Sequence, residues 1–377
     1  AFTVDDRLTS ADSEWMKIAT DDLGNFRAAL TWAIDAQHGD LALQLASDLR
    51  TYFWNRLMYR ESIRWLTSAL ELVDDDSSDV PRGLAFALTD AGNLADETVI
   101  ASLQPRVELL LHKSDGVSAG MLSNALAATS LSDDVKRADL LFRDAHISLR
   151  EAGSRRWTAP LQNRMLTAWL MNDTSARSEI LELVELAESE SANIHGDVVR
   201  ACFQTVDGDY QAVLDFVSDH PPIDEWEEAM LLTLAGHSAR ALGQLEEALN
   251  SIRRAHHAFR IAGKGPTFWE LGMLLIDLDR LDDAVAEYTD TPVVTATTVL
   301  DRTFDAHFFS IVAEKRDDFE ASAVLSGYAD AIGTAGSVKP LDHDLRLLSQ
   351  SQQRVEQVLG ADRYQELHRR GAATAWD

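Results

Sequence analysis

The sequence predicts an all-α chain, built as an α-solenoid of about eight helical hairpins with a closing helix pair. The first observation is local: Gly236, Gly243, Ala248 and Ala255 stand at offsets of 7, 12 and 19 from Gly236. Two antiparallel helices need a close crossing, a turn and two further crossings at those intervals. The second is recurrence, because Gly272 lies 36 residues after Gly236 and brings Leu281, Ala284 and Tyr288 to matching places. The third is size: 377 residues reach the limit of one compact core, so growth by repetition is expected. Only 8 Pro and 19 Gly interrupt a chain of helix formers, and no alternating β-branched run is long enough for a strand.

Residues 1–38 read as an N-terminal linker, acidic in character, and one long amphipathic helix, with Trp15, Ile18, Leu23, Phe26, Leu30 and Ile34 at helical spacing. Trp15 and Trp32 are costly in water, so this helix is expected to pack on something. Residues 39–332 read as the repeat array. Arg50 precedes Tyr59, Leu66 and Ala69; residues 80–114 hold a weaker copy; Leu126 precedes Ala138, Phe142 and Ala145. Ala168 precedes Ala187, Arg200 precedes the turn GDYQAV, and Ser310 precedes Phe319, Ser322 and Ala329. The period of about 34 to 42 falls in the range of tetratricopeptide and related helical repeats. The segment VVTATTVL at 293–300 is expected to start a helix after the Thr291-Pro292 break. Residues 333–377 hold a linker, GTAGSVKP, and two C-terminal capping helices at 342–359 and 361–375, polar as an exposed solenoid end requires.

Composition excludes several functions. The net charge of −28, from 62 acidic and 34 basic residues, repels phosphate backbones, and direct nucleic-acid binding is not expected. The clusters Arg253-Arg254 with His256-His257, and Arg369-Arg370, are short and read as solvated or ion-paired faces. No apolar run of spanning length and no charged-then-apolar leader occurs, so a cytoplasmic protein with no membrane role is expected. Cys202 is the single cysteine, which excludes an intrachain disulfide and reads as a buried small apolar residue.

The segment DDLGNFRAALTWAIDAQHGDLALQLASDLRTYFWNRLMYRESIRWLTSALEL, residues 21–72, resembles the start of the tetratricopeptide (TPR) sensor region of STAND-class signal-transduction ATPases. These are multidomain bacterial transcriptional regulators of the LuxR and antibiotic-regulatory types. The tail RLLSQSQQRVEQVLGADRYQELHRRGAATAW, residues 346–376, is similar to the closing helices of that family. The resemblance implies a right-handed superhelix of TPR-like hairpins, with an upstream nucleotide-binding domain as a partner. No G-x-x-x-x-G-K-[ST] phosphate loop is present, Gly263-Lys264-Gly265 having the wrong spacing, and no helix-turn-helix is evident. The resemblance therefore places ATP hydrolysis and DNA contact outside this chain.

In TPR arrays the first helix of each hairpin lines the concave face, which places Trp54, Trp169, Asn172, His237, Arg240 and Trp269 there. An aromatic groove with an Arg and an Asn suits a protein, peptide or small-molecule effector. Tryptophans at helical spacing more often form the core between repeats than a ligand cage, and His237 has no neighbour at metal-ligand spacing. His256-His257 and His343 beside Asp342 and Asp344 read as isolated, solvent-prone clusters, and neither a nucleophile elbow nor HExxH occurs. The expectation is a sensor without catalytic residues, metal or cofactor. The alternative is a stand-alone scaffold or peptide receptor.

Overall fold

The computed structural model describes residues 13–190, 195–222, 224–261, 268–289 and 298–374. Among these are 20 α-helices, a short 3-10 turn at Arg155–Trp157 and no strand. Gly263-Lys264-Gly265 and the acidic lead-in before Ser13 lie outside the described residues. No described helix is long and apolar enough to cross a membrane.

The chain opens with α1 (Ser13–Asp21) and α2 (Leu23–Asp35), so the single N-terminal helix expected from the sequence is broken at Asp22. Leu30 and Ala33 face inward, but Trp32 is 57% exposed, against the expectation that it would pack. Its companion Trp15 does pack, edge-on to Phe26. Pairs then follow: α3 (Gly39–Asn55) with α4 (Tyr59–Leu70), α5 (Val80–Leu94) with α6 (Glu97–Leu111), and α7 (Gly116–Ser130) with α8 (Val135–Glu151). Next come α9 (Thr158–Met171) with α10 (Arg177–Ser189), α11 (Gly196–Asp207) with α12 (Tyr210–Asp219), and α13 (Glu225–Ala241) with α14 (Leu245–Ile261). The last are α15 (Phe268–Asp277) with α16 (Leu281–Thr289), α17 (Val299–Lys315) with α18 (Phe319–Gly336), and α19 (Asp342–Leu359) with α20 (Ala361–Ala372). First helices also pack on the first helix of the following pair, as α3 on α5, α5 on α7 and α11 on α13.

Turn chemistry repeats with the pairs. Leu57, Gly243, Asp279 and Asp317 all have positive φ, and each lies seven residues after Arg50, Gly236, Gly272 and Ser310 respectively. A left-handed residue is the common way to end a helix and reverse the chain. Only Gly takes it without steric cost, so Leu57 carries strain of about 1 kcal/mol or more. The crossings match as well: a side chain on Gly236 would strike Ile252, and one on Gly272 would strike Phe308 and press on Tyr288, Ile252 and Tyr288 each lying 16 residues on. Asp caps of the type at Asp134, Asp224 and Asp318 start second or first helices by accepting the N–H three residues on. Thr298 does the same for α17, so the helix expected within VVTATTVL begins at Val299.

The row of pairs bends until distant segments meet. The Leu300 amide donates to the Ser132 carbonyl at 2.9 Å, the Lys339 amide to the Leu170 carbonyl at 2.8 Å, and Arg56 pairs with Glu225. Two large apolar clusters result, one running from Ala19 to Leu234 and one holding Ala239 to Leu348, and α13 contributes to both. Two sequence expectations are corrected here. Residues 333–336 are the last turn of α18 rather than linker, and α19 is no exposed cap, because His343, Asp344, Leu348 and Val355 are buried.

Helix α20 lies on α18 with almost no clearance: a side chain on Gly371 would stand 1.9 Å from the Val324 carbonyl oxygen, and one on Gly327 2.0 Å from that of His368. Gly371→Ala is therefore expected to lower stability to urea by about 1 to 3 kcal/mol. Gly24→Ala, with nothing within 4 Å of the added methyl on helix α2, is expected to raise it by about 0.5 to 1 kcal/mol.

Candidate functional site

Four of the six residues expected on the concave face come together at one seam. On α13, His237 places Nε2 3.0 Å from Glu270 Oε1 and Nδ1 3.3 Å from His343 Nε2. The Trp169 ring meets His237 edge-on, with centroids 5.2 Å apart. One turn along α13, Arg240 donates to Asp277 Oδ2 at 2.6 Å and to Asp344. Asn172, the left-handed cap of α9, donates to Asp342 Oδ1 at 3.2 Å. Thus α9 and α13 close on α19 of the same chain. Where the sequence predicts an open wall for a ligand, the protein's own helix occupies it.

The polar groups of this seam pair mainly with one another, although His256 Nε2, His343 Nδ1 and Asp344 Oδ2 are buried without a hydrogen bond. The spacing suits His343 Nε2–H donating to His237 Nδ1, and His237 Nε2–H donating to the Glu270 carboxylate, whose other oxygen stands 3.7 Å from His256 Nε2. Burial pushes the Glu270 carboxyl up, but the hydrogen bond from His237 and the nearby His256 imidazole outweigh it and hold the group far below the usual carboxylate range. Burial, with the positive charges of Arg240 and Arg346 nearby, pushes His343 down to about 2. Burial likewise opposes the charge on Arg240, yet the carboxylates of Asp344 and Asp277 prevail and raise it. His256 and His343 are buried, contrary to the solvent-prone reading of the sequence. Such an arrangement fastens helices.

The other two residues lie elsewhere. Trp269 is buried and stacks on Phe304, ring centroids 4.1 Å apart and nearly parallel, so it belongs to the core between α15 and α17. Trp54 stands on the wall of a recess of about 150 Å³, formed by the inner faces of α3, α5, α7 and α9. There the Arg50 guanidinium lies over Trp54 at 4.3 Å and over Phe86 at 5.0 Å, while donating to Asp90 Oδ1 at 2.8 Å. Arg156 covers Phe86 at 5.0 Å. Asn163 Nδ2 donates to Asn124 Oδ1 at 3.4 Å, joining α9 to α7 across the floor, and Gln162 accepts from the His195 amide at 3.5 Å.

Sequence reasoning missed Phe86, Asn124, Asn163, Arg155 and Arg156. Phe86 falls in the stretch taken as a weak copy with no fixed register, and Arg155-Arg156 precedes α9 in a turn, outside any helical spacing argument. The doublet itself is visible in the sequence and was the available signal. Cys202 is wholly buried, Sγ 3.9 Å from the Met165 carbonyl oxygen, and burial pushes its thiol well above the usual range. Among the described residues no group of three or more His, Cys, Asp or Glu could hold a metal ion. No family model matches the chain, and no curated protein does either.

Two outcomes follow from the seam. Arg240→Met strands the Asp277 and Asp344 carboxylates and is expected to cost about 3 to 5 kcal/mol in urea denaturation. For pH, the unfolded chain protonates His343 below its ordinary value of 6.5 while the folded chain resists until about 2. Stability therefore falls as pH drops below about 6.5, and Glu270 adds to the fall below its ordinary 4.5. His343→Gln should lose less stability than the parent chain between about pH 7.5 and about pH 5, measured as the difference in denaturation midpoints.

Proposed function

We propose that this chain is a non-catalytic sensor module, a right-handed TPR-like superhelix that receives an effector on its concave face and controls the nucleotide-binding part of a STAND-class bacterial transcriptional regulator. One observation carries the reading. Four successive first helices, α3, α5, α7 and α9, each turn side chains into one recess, as a concave TPR surface does. The sequence resemblance at residues 21–72 and 346–376 supports the parent class. Partner binding without chemistry accords with the burial of His237 and His343.

Control of a parent requires two arrangements that the effector binds with different affinity. In this reading the recess takes the effector and the seam of Arg240, Asp344, His237 and His343 is the contact that opens or closes in response. An effector that binds both arrangements equally shifts nothing.

The coding sequence around residues 1–377 gives the first test. A phosphate loop of the G-x-x-x-x-G-K-[ST] type encoded upstream is the expected finding; a start codon immediately before Ala1 would overturn this reading in favour of a stand-alone scaffold or peptide receptor. In the parent regulator, Trp54→Ala is expected to abolish the transcriptional response to its inducer in a reporter strain. Far-UV helicity of the isolated variant should stay unchanged, since Trp54 is only half-buried.

A further inference from the structure

We propose that the recess beside Trp54 takes a short stretch of extended peptide, held by its main chain through the carboxamides of Asn55, Asn124 and Asn163. The inference rests on the recess being the effector site and adds the class of molecule that fills it. Asn55 ends α3 on the recess wall and is 7% exposed, yet its carboxamide forms no hydrogen bond among the described residues. A native protein seldom leaves a buried amide unpaired, so this one marks a place for a partner from outside the chain.

The other two carboxamides complete the grip. Asn163 Nδ2 donates to Asn124 Oδ1 at 3.4 Å, and that bond leaves the Asn124 amino group and the Asn163 carbonyl oxygen without partners among the described residues. An asparagine carries donor and acceptor on one planar group, so it can pair at two points with a residue that offers both. Extended backbone does so, turning the N–H and C=O of one residue to the same side. Asn55 on α3 and the Asn124 and Asn163 pair on α7 and α9 lie on either side of α5 in the order of first helices, so they meet successive parts of a chain laid across the recess. Between them Ala85, Met121 and Leu149 supply an apolar bed for a small side chain.

Other ligand classes fit poorly. A sugar or a nucleobase stacks on an open ring, whereas Trp54 is taken up by Arg50 at 4.3 Å and by Tyr59 edge-on at 5.2 Å. An amine needs a carboxylate, and no Asp or Glu lines the recess. A multiply charged anion needs several uncommitted cations, whereas Arg50 is engaged by Asp90 and two rings, and Arg156 by Phe86. A partner helix has its main-chain groups bonded internally and could not use the carboxamides.

The test follows the recess by NMR in the full chain with isotope-labelled methionine methyl groups, the Met121 signal being assigned through Met121→Leu. The probe is acetyl-trialanine-amide, uncharged at both ends, beside its analogue in which esters replace the peptide N–H groups. The probe is expected to shift the Met121 signal saturably, in the millimolar range or tighter, and the ester analogue to bind at least about tenfold more weakly. Asn55→Leu is expected to weaken probe binding by a similar factor without lowering the melting midpoint, since it removes an unpaired polar group. Asn163→Leu, at a half-buried position, gives the same binding readout if Asn55→Leu does not fold. Three results would overturn the inference: no shift of Met121, equal binding of the peptide and its ester analogue, or parent-like binding by the asparagine variants. The sensor reading stands or falls separately on the flanking coding sequence, so a phosphate loop upstream together with no peptide binding sinks this inference alone.

Discussion

Apart from the side chains of Glu225 and Glu228 near its start, α13 is largely buried, and a buried helix cannot leave its polar side chains to water. Glu227, His237, Ser238 and Arg240 all lie on it, buried. Each charged group of this kind costs several kcal/mol to desolvate unless partners are built around it. For Arg240 those partners come from α15 and α19, and for His237 from the same two helices, through Glu270 and His343. The demand for counter-charges thus fixes where α15 and α19 must run. Because α13 also contributes Leu231 and Leu234 to one apolar cluster and Ala239 to the other, its position sets the relation between the two halves of the molecule.

This constraint divides the inner wall into two regions of different character. Around α13 the wall is sealed by the protein itself, with Trp169 and Asn172 of α9 turned toward α19 and Tyr210 edge-on to His343. Toward α3 and α5 it stays open, and there the arginines are held by aromatic faces as well as by acids. Trp54, Arg50, Phe86 and Arg156 form a continuous stack of alternating ring and guanidinium. Such a stack keeps cationic groups in place at the edge of water.

The features written into the sequence were those that depend on neighbours a few tens of residues away. The turn seven residues after Gly236 recurs at Leu57, Asp279 and Asp317, and the crossing at Gly236 recurs at Gly272, because hairpin geometry is local. The first closing helix was placed at its observed bounds, since Leu341 and Gly360 flank a polar amphipathic run. What stayed hidden was the insertion of that helix. His343 and Asp344 have the composition of a surface, and the residues that pair with them, His237 and Arg240, stand more than 100 positions earlier with no periodic signal linking them. Trp32 and Trp269 failed in opposite senses: one is left in water, the other is packed away from the wall. Aromatic spacing reports the face of a helix but not what covers that face.

Cys202 gives the molecule a chemical clock of its own. The only thiol in the chain sits at zero exposure on α11, against the Met165 carbonyl of α9, and α9 is the helix whose Gln162 and Asn163 form the floor of the recess. A thiol-modifying reagent reaches it only when α9 and α11 part, so the rate of labelling measures how often the back of the recess breathes. Any molecule that braces that floor from the front slows the reaction from behind.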